Sequence, residues 1–139
     1  MATKDFLFCL SEVYSEDDVR LLHRLIDELA RDRAWYHGPP QFVDQTDASS
    51  CTLPEDLPVR TVGGYVEFSA PGAVQDAAAE KHQFEDADFL IERLARYSRE
   101  RKCELEIEYA GELIGEIENG EISESVAIGF LAEWCRNLP

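Results

Sequence analysis

Apolar positions recur along this chain with two different periods, and the changes of period divide it into elements. Asp5 to Tyr14, DFLFCLSEVY, puts aromatic and branched side chains in a short run that ends in a serine and acidic cluster, the pattern of a strand buried on at least one face. Ser15 then precedes Glu16, Asp17 and Asp18. A serine hydroxyl caps free helix amides, three acids suit the positive end of a helix, and Asp18 at the third position resembles a capping box. A helix is therefore predicted from here to near Arg33. Along it Val19, Leu21, Leu22, Leu25, Ile26, Leu29 and Ala30 fall on one stripe, with Arg20, Arg24, Asp27, Glu28 and Arg31 on the other side.

From Trp35 to Leu57 sustained periodicity is lost among Gly38-Pro39-Pro40, Asp44, Asp47, Ser49, Ser50 and Pro54, so this segment is expected to be one long loop and a candidate binding segment. Val59-Arg60-Thr61-Val62, Gly63-Gly64 and Tyr65-Val66-Glu67-Phe68 read as a hairpin about a two-glycine turn, or as one strand with a glycine bulge. Ala70-Pro71-Gly72 closes it, and the alanine-rich stretch from Val74 to Glu80 suits a short helix or a loop. A second helix is predicted from about Glu85 to Arg101, with Ala87, Leu90, Ile91, Leu94, Ala95 and Tyr97 as its buried stripe. Acids occupy its first turn and Arg96, Arg99, Arg101 and Lys102 its last, as a helix dipole favours.

Cys103 to Tyr109, CELEIEY, alternates strictly, and after Ala110-Gly111 the chain resumes as ELIGEIE from Glu112 to Glu118, so two paired strands are expected. A last helix follows Asn119-Gly120, capped by Ser123 and carrying Val126, Ala127, Phe130, Leu131 and Trp134 on one side. The order β-α-β-β-α-β-β-α predicts a single α+β domain over residues 1–139. Its mainly antiparallel sheet has about four or five strands, with two or three helices mostly on one face.

Charge sharpens this picture. The net charge is −16 on 139 residues, and the segment from Cys103 to the C-terminus holds nine acids and one base, half of that excess. The alternation of the last two strands puts Leu105, Ile107 and Tyr109 on one face with Leu113, Gly115 and Ile117. Glu104, Glu106, Glu108, Glu112, Glu116 and Glu118 share the other. Like charges opposite one another on neighbouring strands cost roughly 0.2 to 1 kcal/mol per pair. Such a ribbon is expected to be neutralised by a cationic surface, either from a partner or from the basic end of the second helix, Arg93 to Lys102, the alternative being a plain solvated acidic face. Phe89 falls opposite the buried stripe of its helix beside Arg93 and Arg96, a composition expected at interface hot spots.

Other chemistry finds little support. Cys9, Cys51, Cys103 and Cys135 form no CxxC pair, and His23, His37 and His82 have no ligand-like spacing. A nucleophile at Cys51 with His37 as base and Asp44 or Asp47 orienting it would come from one flexible loop. No nucleotide, zinc-protease, serine-hydrolase or EF-hand motif occurs. No cofactor, metal or catalytic residue is thus expected. The negative field disfavours nucleic acid and anionic membranes, and the absence of a long apolar run points to a cytoplasmic protein. The expected function is that of a small acidic binding protein, a bacterial immunity protein or antitoxin that occupies a basic partner such as a toxin or nuclease. A small enzyme or ligand-binding domain with a pocket walled by residues 35–57, and a homodimer with incidental acidity, are the alternatives.

Overall fold

The computed structural model describes residues 3–49, 51–70 and 76–139. One antiparallel sheet of six strands, in the spatial order β2-β3-β1-β4-β5-β6, is formed by β1 (Thr3–Leu10), β2 (Gln41–Asp47), β3 (Val59–Ser69), β4 (Glu104–Tyr109), β5 (Glu112–Glu118) and β6 (Glu121–Ile122). Helices α1 (Glu16–Asp32) and α2 (Ala77–Arg101) are joined by a C-terminal helical segment. That segment runs through α3 (Glu124–Val126), a π-helical stretch (Ala127–Ala132) and α4 (Glu133–Arg136).

Strand alternation explains why the helices share one side. Phe6, Phe8 and Leu10 of β1, Val62, Val66 and Phe68 of β3, Leu105 and Ile107 of β4 and Ile117 of β5 are buried, and they form one core with the stripes of both helices. The stripe of α1 is Val19, Leu22, Leu25, Ile26 and Leu29; that of α2 includes Ala87, Leu90, Ile91 and Leu94. Val126 and Trp134 close the same core from the C-terminus, where the Trp134 ring meets those of Phe68, Phe84 and Phe130 edge-on. Each such side chain fully removed from water contributes about 1.5–3 kcal/mol.

The start of α1 matches its sequence signal: the Asp18 carboxylate accepts the backbone N–H groups of Tyr14 at 3.0 Å and Ser15 at 3.2 Å. Several elements differ from expectation: the sheet has six strands rather than four or five, β6 being additional, and β1 ends at Leu10 rather than reaching Tyr14. The segment expected as a loop from Trp35 to Leu57 contains β2, an edge strand whose residues are at most half-buried, so QFVDQTD carries only a weak apolar signal. Of the two readings of Val59 to Phe68, the single strand is the one observed: Gly63-Gly64 is neither a turn nor a bulge, and β3 runs straight through it in continuous register with β1 and β2. These glycines are required by space. A Cβ on Gly63 would lie 1.9 Å from the Phe8 carbonyl oxygen, and one on Gly64 would lie 2.7 Å from the Ile26 and Phe8 side chains.

Helix α2 begins at Ala77, eight residues before Glu85, with the Asp76 side chain accepting the Ala78 N–H at 3.0 Å. Its first two turns bury Glu80 and Gln83, polar residues that break an apolar stripe. The part of the alanine-rich stretch at residues 74–75, like Pro71-Gly72, lies outside the described residues. At the C-terminus, a predicted uniform helix widens into the π-helical stretch, which leaves Phe130 and Leu131 only partly buried between Val126 and Trp134.

Candidate functional site

With every helix on one side, the opposite face of the sheet carries no covering element among the described residues. The pairing register lays out its side chains in rows. One row runs Gln41, Tyr65, Leu7, Glu108 and Leu113; the next runs Val43, Gly63, Cys9, Glu106 and Glu116. In a third, Gln45 and Thr61 are in line with Glu104, Glu118 and Glu121, and Asp5 and Glu67 pair at the near end. Half of this face, on β4, β5 and β6, is thus lined by glutamates, whereas the half on β2, β3 and β1 is largely uncharged.

The two basic residues within the strands belong to the helix side: Lys4 is opposite Phe68, and Arg60 is opposite Thr46. Among the described residues, none of Glu104, Glu106, Glu108, Glu116, Glu118 and Glu121 forms an ion pair. Lys102 shares a rim crevice with Glu104 and Glu118. Three of the four arginines of α2 make contacts away from this face. Arg93 pairs with Asp32 at 2.9 Å, Arg101 approaches Asp18 at 3.5 Å, and the Arg99 side chain lies against Gly120.

The ribbon is corrected at one point. A β-bulge between Ile107 and Glu108 leaves Ile114 without a partner, so Leu113 pairs with Glu108 and Glu112 pairs with Tyr109. One extra residue reverses the faces beyond it. Leu113, expected among the apolar set, therefore stands 63% exposed on the glutamate face, and Glu112 leaves that face for the other. Glu121, brought alongside Glu118 by β6, and Asp5 and Glu67 are acids of the same face that no single strand's pattern identifies.

What holds the ribbon in place is the buried Ser98 hydroxyl at the end of α2. It donates to the Cys103 carbonyl at 2.6 Å and accepts the Gly120 N–H at 3.1 Å, tying β4 and the β5–β6 turn to the helix layer. Lys102 adopts the left-handed conformation there, φ 52°, which turns the chain directly from α2 into β4. At the middle of the face Cys9 is buried between Gly63 and Glu106. Burial, reinforced by the carboxylates of Glu106 and Glu108, pushes its thiol from 9.0 up to about 11.

Phe89 does not belong to an exposed patch. Its ring packs edge-on against Trp35 at 5.9 Å, and the guanidinium groups of Arg33 and Arg93 lie over it at 5.6 and 5.5 Å. Of the two arginines expected to flag an interface, Arg93 instead covers the ring in cis, joined by Arg33 rather than by Arg96.

The constellation of Cys51, His37 and Asp44 or Asp47 is not assembled. His37 precedes one end of β2 and Cys51 follows the other, a separation of about 20 Å along the strand. Each group also has other work. His37 Nε2 lies 2.8 Å from Ser69 Oγ, the Asp44 carboxylate accepts from Arg60 at 2.9 Å, and Asp47 accepts the Ser49 N–H at 2.8 Å. His23 stacks flat on Phe42 at 4.1 Å, and His82 Nε2 lies 2.8 Å from the Ala34 carbonyl.

Two buried carboxylates are held by structural hydrogen bonds. Asp86 accepts from Arg33 at 2.5 Å and from the Tyr36 N–H at 2.9 Å, while Glu80 accepts the Trp134 indole N–H at 2.9 Å. Among the described residues no three His, Cys, Asp or Glu side chains are grouped to hold a metal ion, and no helix is long and apolar enough to cross a membrane. Comparison with protein-family models, curated proteins and solved structures finds no match to this chain.

Proposed function

We propose that this chain is a protein-binding domain that seats a cationic surface of another protein on its open sheet face, as an immunity protein or antitoxin does when it covers the basic active site of a nuclease. The observation that carries this is the presence of directly opposed glutamates, Glu104 with Glu118 and Glu106 with Glu116, on a face with no covering element among the described residues and no base in its strands. Such pairs lower the stability of the free protein. They become favourable once lysines and arginines are laid over them, and their field accelerates capture of a positive partner. A second copy of the chain would oppose acid to acid and is a poor occupant of this face.

The test is affinity capture. The immobilised chain, exposed to lysate of its native cell at low salt, is expected to recover a basic protein that elutes as salt rises toward about 0.5 M. The triple variant Glu104→Lys, Glu106→Lys and Glu108→Lys is expected to fold and to lose that protein. Recovery of the same protein by the folded triple variant would rule out the glutamate face as the site.

A further inference from the structure

The largely uncharged half of the open face has a shape that charge alone does not require. Leu7, Val43, Thr61 and Tyr65 surround a shallow recess of about 400 Å³ on three neighbouring strands, with Asp5 and Glu108 on its margin. All four side chains are half-buried. Gly63, with no side chain, lies at the centre of this half, in line with Val43 and Cys9. Leu113 continues the apolar surface past Glu108.

Resting on the function proposed above, we infer that the bound segment of the partner carries an aliphatic or aromatic side chain flanked by lysines or arginines. The apolar side chain enters the recess between Leu7, Val43, Thr61 and Tyr65, while the flanking cations lie over Glu108 and Glu106 on one side and Asp5 and Glu67 on the other. The occupant follows from charge complementarity. Strands are spaced about 4.8 Å apart, so β4 lies one strand beyond Leu7 and two beyond Tyr65. A basic side chain next to an anchor in the recess therefore reaches a glutamate without spanning uncharged surface. A partner with cations alone would leave the recess wetted, and one with apolar groups alone would leave the glutamates unpaired. Binding energy at protein interfaces concentrates in such a central anchor, with charges at the rim setting encounter rate and orientation.

The probes are two synthetic peptides of equal charge, Lys-Arg-Trp-Arg-Lys and Lys-Arg-Gly-Arg-Lys, titrated into the ¹⁵N-labelled full chain and followed by NMR. The tryptophan peptide is expected to bind at least ten-fold more tightly, with the largest shifts at Leu7, Val43 and Tyr65. Thr61→Trp, which fills the recess without changing charge, is expected to abolish that preference, bringing the two peptides to equal affinity. Should Thr61→Trp fail to fold, Val43→Asn, which makes the recess wall polar, is expected to reduce the preference in the same direction. Equal affinity of the two peptides for the wild-type chain overturns the recess and leaves the acidic face standing. Binding of neither peptide at low salt overturns both.

Discussion

Replacing Glu106 by lysine tests the energetics of the open face, because it inverts one cross-strand pair without touching the core. Glu106 is exposed and lies directly opposite Glu116. Side chains so placed have Cβ atoms about 5 Å apart, where two like charges in water repel by about 0.8 kcal/mol, within the 0.2 to 1 kcal/mol measured for such pairs. Glu106→Gln removes that repulsion and Glu106→Lys replaces it with an attraction of similar size. The expected gains are about 0.5 kcal/mol for glutamine and about 1 to 2 kcal/mol for lysine. For a chain of this length the lysine variant should melt about 3–8 °C higher. Thermal unfolding followed by circular dichroism at low salt measures it, and in about 1 M salt, where the Debye length is about 3 Å, most of the gain should vanish. The double variant Glu106→Gln, Glu116→Gln should gain less than the sum of its singles, since each alone removes the same repulsion. A lower melting temperature for Glu106→Lys, or a gain unchanged in high salt, would refute the claim that unneutralised charge is carried on this face.

Other expectations follow from single contacts. Ser98→Ala leaves the Gly120 N–H without its acceptor and should cost about 1–3 kcal/mol by chemical denaturation. Asp86→Ala removes the closest partner of the Arg33 guanidinium and the acceptor of the Tyr36 N–H, and should cost about 1–3 kcal/mol by the same assay. Gly63→Ala drives a methyl group into the Phe8 carbonyl and should prevent folding or cost more than about 3 kcal/mol, read from soluble yield and melting. The Cys9 thiol is raised chiefly by burial and then by Glu106 and Glu108, so its alkylation should reach half-maximal rate near pH 11, and lower in Glu108→Gln. Since its folded pKa exceeds the unfolded one, its contribution to stability is intact below about pH 9 and lost as pH rises toward 11; a Cys9→Ser control should lack that loss.

Much of the fold is legible in the sequence where one physical signal dominates. The apolar stripe and acidic first turn of α1 locate it to within a residue or two, and strict alternation in CELEIEY locates β4. Elements whose stability comes from tertiary context are hidden. β2 has little apolar character because it lies at the sheet edge, and the first turns of α2 bury Glu80 and Gln83, which local pattern reads as solvent-facing. Paired glycines signal a turn in isolation; in β3 they answer to the closeness of Phe8 and Ile26, residues distant in sequence.

The candidate site divides in the same way. Alternation places Glu104, Glu106 and Glu108 together on β4, and Glu116 and Glu118 on β5, from local sequence alone. The bulge at Ile114 moves Glu112 away and exposes Leu113, an effect of pairing that no count along one strand reveals. The recess is likewise invisible locally, since Leu7, Val43, Thr61 and Tyr65 come from three strands that the topology brings side by side. Phe89 stands on the side of α2 that helical geometry assigns it, but Trp35 folds over it from the α1–β2 connection.

Carboxyl footprinting tests the central claim most directly. The chain is labelled with a carbodiimide and an amine, free and with the protein recovered by affinity capture, and the modified acids are counted by mass spectrometry. The account predicts protection of Glu104, Glu106, Glu108, Glu116 and Glu118 in the complex, with Asp17 and Asp27 on α1 labelled equally in both states. Protection confined to the helices, with the sheet glutamates still reactive, would contradict it.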